Sequence, residues 1–235
     1  MIGIARRLRE AGVLGLNWRN AEYTLIYNKR SLYPLVDDKL ETKRLAMAAG
    51  IAVPELYGVI EYQRQVRELH HMIEGRQSFV VKPAQGSGGK GILVLERGPK
   101  GLYRRPNGSF MTEAELAYHV SNILSGIYSL GGQPDKVLIE YRVNFDPVFE
   151  RIAYQGVPDI RIISFIGVPV MAMVRLPTRQ SGGKANLHQG AIGTGVDLAT
   201  GRTLTAVWGN DIVDTHPDTL APVTGVQIPL WPQLL

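Results

Sequence analysis

Apolar and polar positions change period several times along the chain, and each change marks an element. Residues 2–14 predict a short basic helix ending near Gly12 or Gly15. Residues 17–36 show no period and are rich in Tyr and Asn, so they read as irregular, with Tyr23, Tyr27 and Tyr33 as packing residues. Residues 37–50 predict a helix. Asp37 or Asp38 can cap its start, and Gly50 can take the left-handed position after its end. Val36, Leu40 and Met47 would share one face and Lys39 and Lys43 another. Pro54 and Gly58 argue for extended chain over 51–60, and 64–73 then reads as a helix with His70 and His71 at its surface.

The clearest helix opens at Thr112, where Thr112 and Glu115 form a capping box ahead of the stripe Leu116, Val120, Ile123, Leu124 and Ile127. Gly131 and Gly132 end that segment. A small hairpin turning at Asn107–Gly108 precedes it. An apolar strand occupies 136–143, a connector 144–158, and two strands joined at Gly167 occupy 159–165 and 168–175. Residues 176–190 are too polar and glycine-rich for an element interior and read as a long loop, which favours function over scaffold. Two more strands flank Thr200–Gly201, and IPLWPQLL at the end reads as the start of a helix.

Candidate chemistry centres on 78–96, SFVVKPAQGSGGKGILVLE, which reads as strand, glycine-rich loop, strand. Gly86, Gly88, Gly89 and Gly91 let the backbone approach a ligand closely, and Lys82 and Lys90 stand beside them, an arrangement suited to polyphosphate. Gly86, Gly88 and Gly91 match G-x-G-x-x-G, but a strand follows rather than the helix a dinucleotide site needs. The P-loop pattern also fails, because Gly91 follows Lys90 where Ser or Thr is required. Two readings stay open: a lid that folds over phosphates, or an ordinary flexible hairpin.

Three further features carry charge or polarity in suggestive places. Glu140, near the end of the strand KVLIEYRV, needs a partner, which ribose hydroxyls or a nearby Arg could supply. Asp159 and Arg161 lie on one strand face, and Arg175 ends the facing strand. Arginines brought close in this way want an anion between them, or else ion pairs to Asp159 and Glu150. Asn186 and His188 stand out in the long loop, His188 as a structural hydrogen bonder. Lys39 points either at solvent or at a nucleotide.

Composition narrows the class without naming it. Hydrophobic residues make up 45% and charged residues 20%, ordinary for a globular protein. The net charge of +5 is spread over short basic pairs with no long run, so nucleic acid is not required and a small anionic ligand explains the excess equally well. The absence of cysteine excludes disulfides, thiolate zinc sites and a thiol nucleophile. The start has no signal-peptide core, and the longest uncharged stretch, 162–174, is too short to span a bilayer. A cytoplasmic protein is the expectation.

The order DDKLETK, VVKPAQGSGGKG, VLIEYRV, DIRI, AMVRLPT, KANLHQG resembles the ATP-grasp superfamily, and within it the alpha-L-glutamate ligase-like branch. The resemblance implies an α+β fold of two lobes clasping a nucleotide. An extension would occupy 1–36 and the first lobe 37–143, with its lid hairpin within 78–142. The second lobe would occupy 144–235. It implies that Lys39 and Lys82 contact ATP phosphates and the adenine region, with Gly86, Ser87, Gly88, Gly89, Lys90 and Gly91 as the lid. Glu140 and Tyr141 would form the adenine and ribose hinge, with Asp159 by the nucleotide. Arg161 and Arg175 would hold the phosphate or acyl phosphate, and Lys184 and Asn186 would approach the γ-phosphate and substrate.

The implied activity is ATP- and Mg2+-dependent joining of a carboxylate to an amine or amino acid, a peptide or protein terminus included, through an acyl phosphate. Homo-oligomerisation stays open. Two departures stand beside this. The family usually begins with a separate α/β domain, for which the residues before Lys39 are too few, and its later Glu-x-Asn metal ligands are missing, so no metal ligand is assigned. A fragment with weak, metal-poor nucleotide binding is therefore expected. The alternatives are a nucleotide-binding module without catalysis and, on charge grounds only, a basic scaffold for a nucleic acid or acidic protein.

Overall fold

The computed structural model describes residues 2–235. The chain divides into two compact units, Met1–Val53 and Pro54–Leu235.

The first unit is a succession of short helices: α1 (Ile2–Glu10), α2 (Leu16–Arg19), α3 (Leu25–Tyr27), α4 (Pro34–Asp37) and α5 (Lys39–Ala48). A π turn over Asn20–Thr24 joins α2 to α3. The stretch 17–36 is therefore helical, not irregular. Its turns are too short, and too often interrupted, to show a period in the sequence. At Asn28, for example, the chain turns extended with φ −119°. Asp38 caps α5: its Oδ1 accepts from the backbone N–H of Leu40 at 2.8 Å and of Glu41 at 3.3 Å. Gly50 takes φ +71° just beyond the helix end. The expected apolar face does not hold as drawn. Leu40 and Lys43 are buried, whereas Val36 and Met47 are exposed. Val36 belongs to α4, and the extended Asp38 breaks the helical phase between it and Leu40.

The second unit contains two antiparallel sheets. The first has strand order β1-β6-β2-β3-β4-β5, built from β1 (Leu56–Ile60), β2 (Ser78–Pro83), β3 (Leu93–Arg97), β4 (Tyr103–Arg104), β5 (Phe110–Met111) and β6 (Val137–Tyr141). The expected helix over 64–73 is instead a 3-10 turn, Gln63–Glu68, running into α6 (Leu69–Met72). Gln65 holds that entry, its side-chain oxygen accepting from the N–H of Glu61 at 2.8 Å and of Tyr62 at 3.0 Å. Helix α7 (Glu113–Leu124) carries the capping box, with Thr112 N–H donating to Glu115 at 2.7 Å and Glu115 N–H to Thr112 Oγ1 at 3.2 Å. Leu116, Val120 and Ile123 of α7 pack with Phe79, Val81, Leu95 and Ile139 in one core. Ile127 falls past the helix end and is exposed.

The second sheet has order β11-β10-β9-β8-β7, from β7 (Asp159–Phe165), β8 (Val168–Leu176), β9 (Ile192–Val196), β10 (Thr203–Trp208) and β11 (Asp211–Val213). Its core face holds Val174, Leu176, Ile192 and Ala206, and the connector 144–158 contributes Phe149 and Ile152 to the same core. The last helix, α8 (Trp231–Leu234), buries Trp231, whose Nε1–H donates to Leu198 O at 2.8 Å. Among the described residues no helix is long and apolar enough to cross a membrane.

Leu116 has no exposed surface and sits where α7 meets the sheet. Leu116→Ala is expected to lower stability by about 2–5 kcal/mol, through lost burial and an unfilled cavity. Denaturant unfolding checks this, and a change under about 1 kcal/mol would contradict the packing described.

Candidate functional site

The glycine-rich loop between β2 and β3 is fastened at both ends and open in the middle. At its start, Ala84 N–H donates to Lys136 O at 2.9 Å, and Gln85 N–H lies 3.1 and 3.0 Å from the two carboxylate oxygens of the buried Asp135. At its end, Gly91 O accepts from His119 Nε2 at 2.9 Å. Gly91 has φ +76°, and a Cβ there would lie 2.7 Å from the Tyr128 ring, so only glycine fits. The tip between these anchors exposes Ser87, Gly88 and Lys90. Gly88 and Gly89 also have positive φ, 61° and 74°. Their side faces the long loop of the second sheet: a Cβ on Gly88 would lie 3.9 Å from Asn186 Nδ2, and one on Gly89 3.6 Å from Lys184 Cδ.

That second loop, 177–190, is polar but internally tied. Thr178 Oγ1 donates to Gly190 O at 2.7 Å, and Thr178 N–H donates to Ser181 Oγ at 2.9 Å. Buried His216 bonds Pro177 O through Nε2 at 2.9 Å, while its Nδ1 accepts from the N–H groups of Asp218 and Thr219 at 3.2 and 3.3 Å. Those contacts make Nε2 the donor. Asn186 Oδ1 accepts from His188 N–H at 3.0 Å, which leaves the Asn186 amide NH2 on the side of the glycine tip. The structure thus brings Gly88 and Gly89 together with Asn186 and Lys184.

Lys82 and Glu140 form an ion pair across β2 and β6, where Lys82 registers with Leu138 and Val80 with Glu140. The partner of Glu140 is therefore a lysine from the neighbouring strand, where the sequence suggested an arginine or a ribose. Period-two alternation puts both side chains on the face opposite the α7 core. Tyr141 follows, exposed at the strand end.

On the second sheet Asp159 registers with Arg175 and Arg161 with Met173, so all four share the face away from the core. Arg175 pairs with Asp159, as the simpler of the two readings holds, yet its Nε is buried with no partner among the described residues. Arg161 is exposed. Gly193 and Gly195 lie opposite Arg175 and Met173, leaving a groove of about 390 Å³ lined by Met171, Met173, Leu187 and Val207. Lys39 opens α5 in the first unit.

A fastened glycine loop with an open tip and with Lys90 and Lys184 beside it suits a triphosphate. No three His, Asp or Glu side chains that could hold a metal ion cluster among the described residues. Asp135, His119 and His216 were missed in the sequence. None stands in a motif, and each acts by holding a backbone group distant in sequence.

Two antiparallel sheets with helices, one sheet carrying a glycine-rich hairpin, fit an α+β ATP-grasp protein. A family model, sugar-transfer associated ATP-grasp, matches residues 18–235, and the chain belongs to that family. The match supports the ATP-grasp class and does not extend to the glutamate ligase-like branch that the motifs resemble. No curated protein and no solved structure matches the chain.

The His119 imidazole is held below its ordinary value of 6.5, chiefly by burial and further by Arg105, against the bond to Gly91 O. Its other titratable neighbour is Tyr128, with ring centroids 5.4 Å apart. At His119 the folded state therefore binds fewer protons than the unfolded chain just below pH 6.5, and the contribution of this site to stability falls as pH drops through that region. Thermal melts between pH 7.5 and 5 should show a steeper loss for the native protein than for His119→Gln, which keeps a donor but cannot titrate. Parallel curves would refute the latch.

Proposed function

We propose that this protein is an ATP-dependent ligase that activates a carboxylate as an acyl phosphate and passes the acyl group to an amine. The observation that carries the reading is the convergence of the Gly88–Gly89 tip with Lys184 and Asn186, two phosphate-suited segments from different sheets. A carboxylate oxygen attacks the γ-phosphorus and ADP leaves. The amine nitrogen then attacks the acyl carbon, inorganic phosphate leaves, and the nitrogen loses a proton. Such chemistry asks for positioning and charge neutralisation rather than a protein nucleophile.

In this reading Lys82, oriented by Glu140, and Lys90 neutralise phosphate oxygens beneath the lid formed by Gly86, Ser87, Gly88, Gly89 and Gly91. Tyr141 borders the base and Asp159 orients Arg175. Arg161 and Arg175 stabilise the acyl phosphate, with Lys184 and Asn186 at the γ-phosphate. Mg2+ accompanies ATP, as is typical of ATP-grasp domains. The family description ties these domains to sugar transfer, so a carbohydrate bearing an amine or a carboxylate is the first substrate class to try, ahead of glutamate.

The test is ADP release by the full chain with Mg-ATP and pairs of uronic acids, amino acids and amino sugars. One carboxylate should stimulate release and pass 18O from its oxygen to phosphate. Lys184→Ala should lower that rate by about a hundredfold, as for loss of one charge-stabilising group, with stability within about 0.5 kcal/mol. Nucleotide binding with no 18O transfer for any pair would favour a binding module instead.

A further inference from the structure

We infer that the pocket between the β4–β5 hairpin and the connector after β6 is a second anion site, shaped for the phosphate monoester of a small molecule. Glu96, Arg104, Arg105, Arg142, Phe145 and Gln155 line a cavity of about 260 Å³. Arg104 and Arg142 approach the same carboxylate, one on each oxygen of Glu96. Their guanidinium groups hold the Glu96 carboxyl below its ordinary range, so it stays ionised. One negative charge therefore faces three positive ones.

Arg105 is the least satisfied of the three. Its Nη1 reaches Ser109 Oγ only at 3.5 Å, and its Nε is buried with no partner among the described residues. A buried donor without an acceptor and an uncompensated pair of guanidinium charges are both costly. A dianion with several oxygens relieves both at once, and arginine's planar fork suits phosphate. Phe145 offers an apolar wall for the rest of the molecule, and the volume is close to the smallest small-molecule sites, about 300 Å³.

This pocket is not the place of the ATP phosphates. Glu96 registers with Ser78, and Lys82 lies four residues further along that strand, about 13 Å away at the usual rise. Two contacts nevertheless tie it to the lid region. The backbone oxygen of Gln155 would lie 3.3 Å from a Cβ on Gly183, the neighbour of Lys184. His119, which holds Gly91, feels the charge of Arg105 in addition to its burial.

The test uses the full chain, with inorganic phosphate and glycerol phosphate as probes and the His119 imidazole followed by NMR. Both probes should bind saturably and raise the His119 titration midpoint, because the bound anion cancels the field of Arg105. Arg105→Gln and Arg142→Gln should each weaken binding at least tenfold. Arg105→Lys, which keeps the charge, should weaken it less and serves if the glutamine variant does not fold. Lys184→Ala and a saturating non-hydrolysable ATP analogue should leave phosphate binding unchanged. Loss of binding with the analogue or with Lys184→Ala would put the anion at the glycine loop and overturn the inference. Equal affinity in every variant would mean an adventitious ion only, and would also overturn it. Because ligase turnover is not measured, failure here leaves the reaction proposal standing.

Discussion

Backbone anchoring of the glycine-rich loop is the constraint on which the rest of the site depends. A loop with four glycines has large conformational freedom and would sample many shapes if held only by its strands. Asp135 fixes its entry by receiving Gln85 N–H, and His119 fixes its exit by reaching Gly91 O. Tyr128 fills the space beside Gly91 that any side chain there would need. The freedom that remains is confined to the tip, where the exposed Ser87, Gly88 and Lys90 meet the second loop. The open tip is thereby set between two fixed ends.

The same elements that build the first core supply those anchors. Helix α7 presents Leu116, Val120 and Ile123 to the sheet on one face, and His119 lies on the flank of that face toward the loop. The strand β6 gives Val137 and Ile139 to the core and Glu140 to the opposite face, where Lys82 meets it. Period-two alternation thus lets one strand stabilise the lobe and orient a cation with successive residues. The second sheet repeats the device. Val174 and Leu176 are buried in its core, and Arg175 between them points the other way toward Asp159.

Cations are paired but not exhausted in this unit. Lys82 has Glu140, Arg175 has Asp159, and Arg104 with Arg142 shares Glu96. At Arg175 and at the Arg104–Arg142 pair, donor capacity exceeds what a single carboxylate can accept, since a guanidinium carries five N–H groups. The carboxylates set geometry, and the remaining donors are available to anions. A family of ATP-dependent ligase-type domains has use for such preorganised charge.

Local signals determined much of this protein from sequence. The capping box at Thr112, the cap at Asp38, the alternation in 78–83 and 159–165 and the glycines of the 86–91 loop are written within a few residues, and the helices and strands stand where those signals placed them. The ATP-grasp class was legible in the order of those segments. The helical turns of 17–36 were not legible, because each is shorter than the window over which a period shows. Only the tertiary structure decided that Lys82 is the partner of Glu140, that His119 and Asp135 hold the glycine-rich loop, and that three arginines share one pocket. Those pairings join residues 28 to 58 positions apart, and strand register and helix docking, which no local spacing encodes, bring them together.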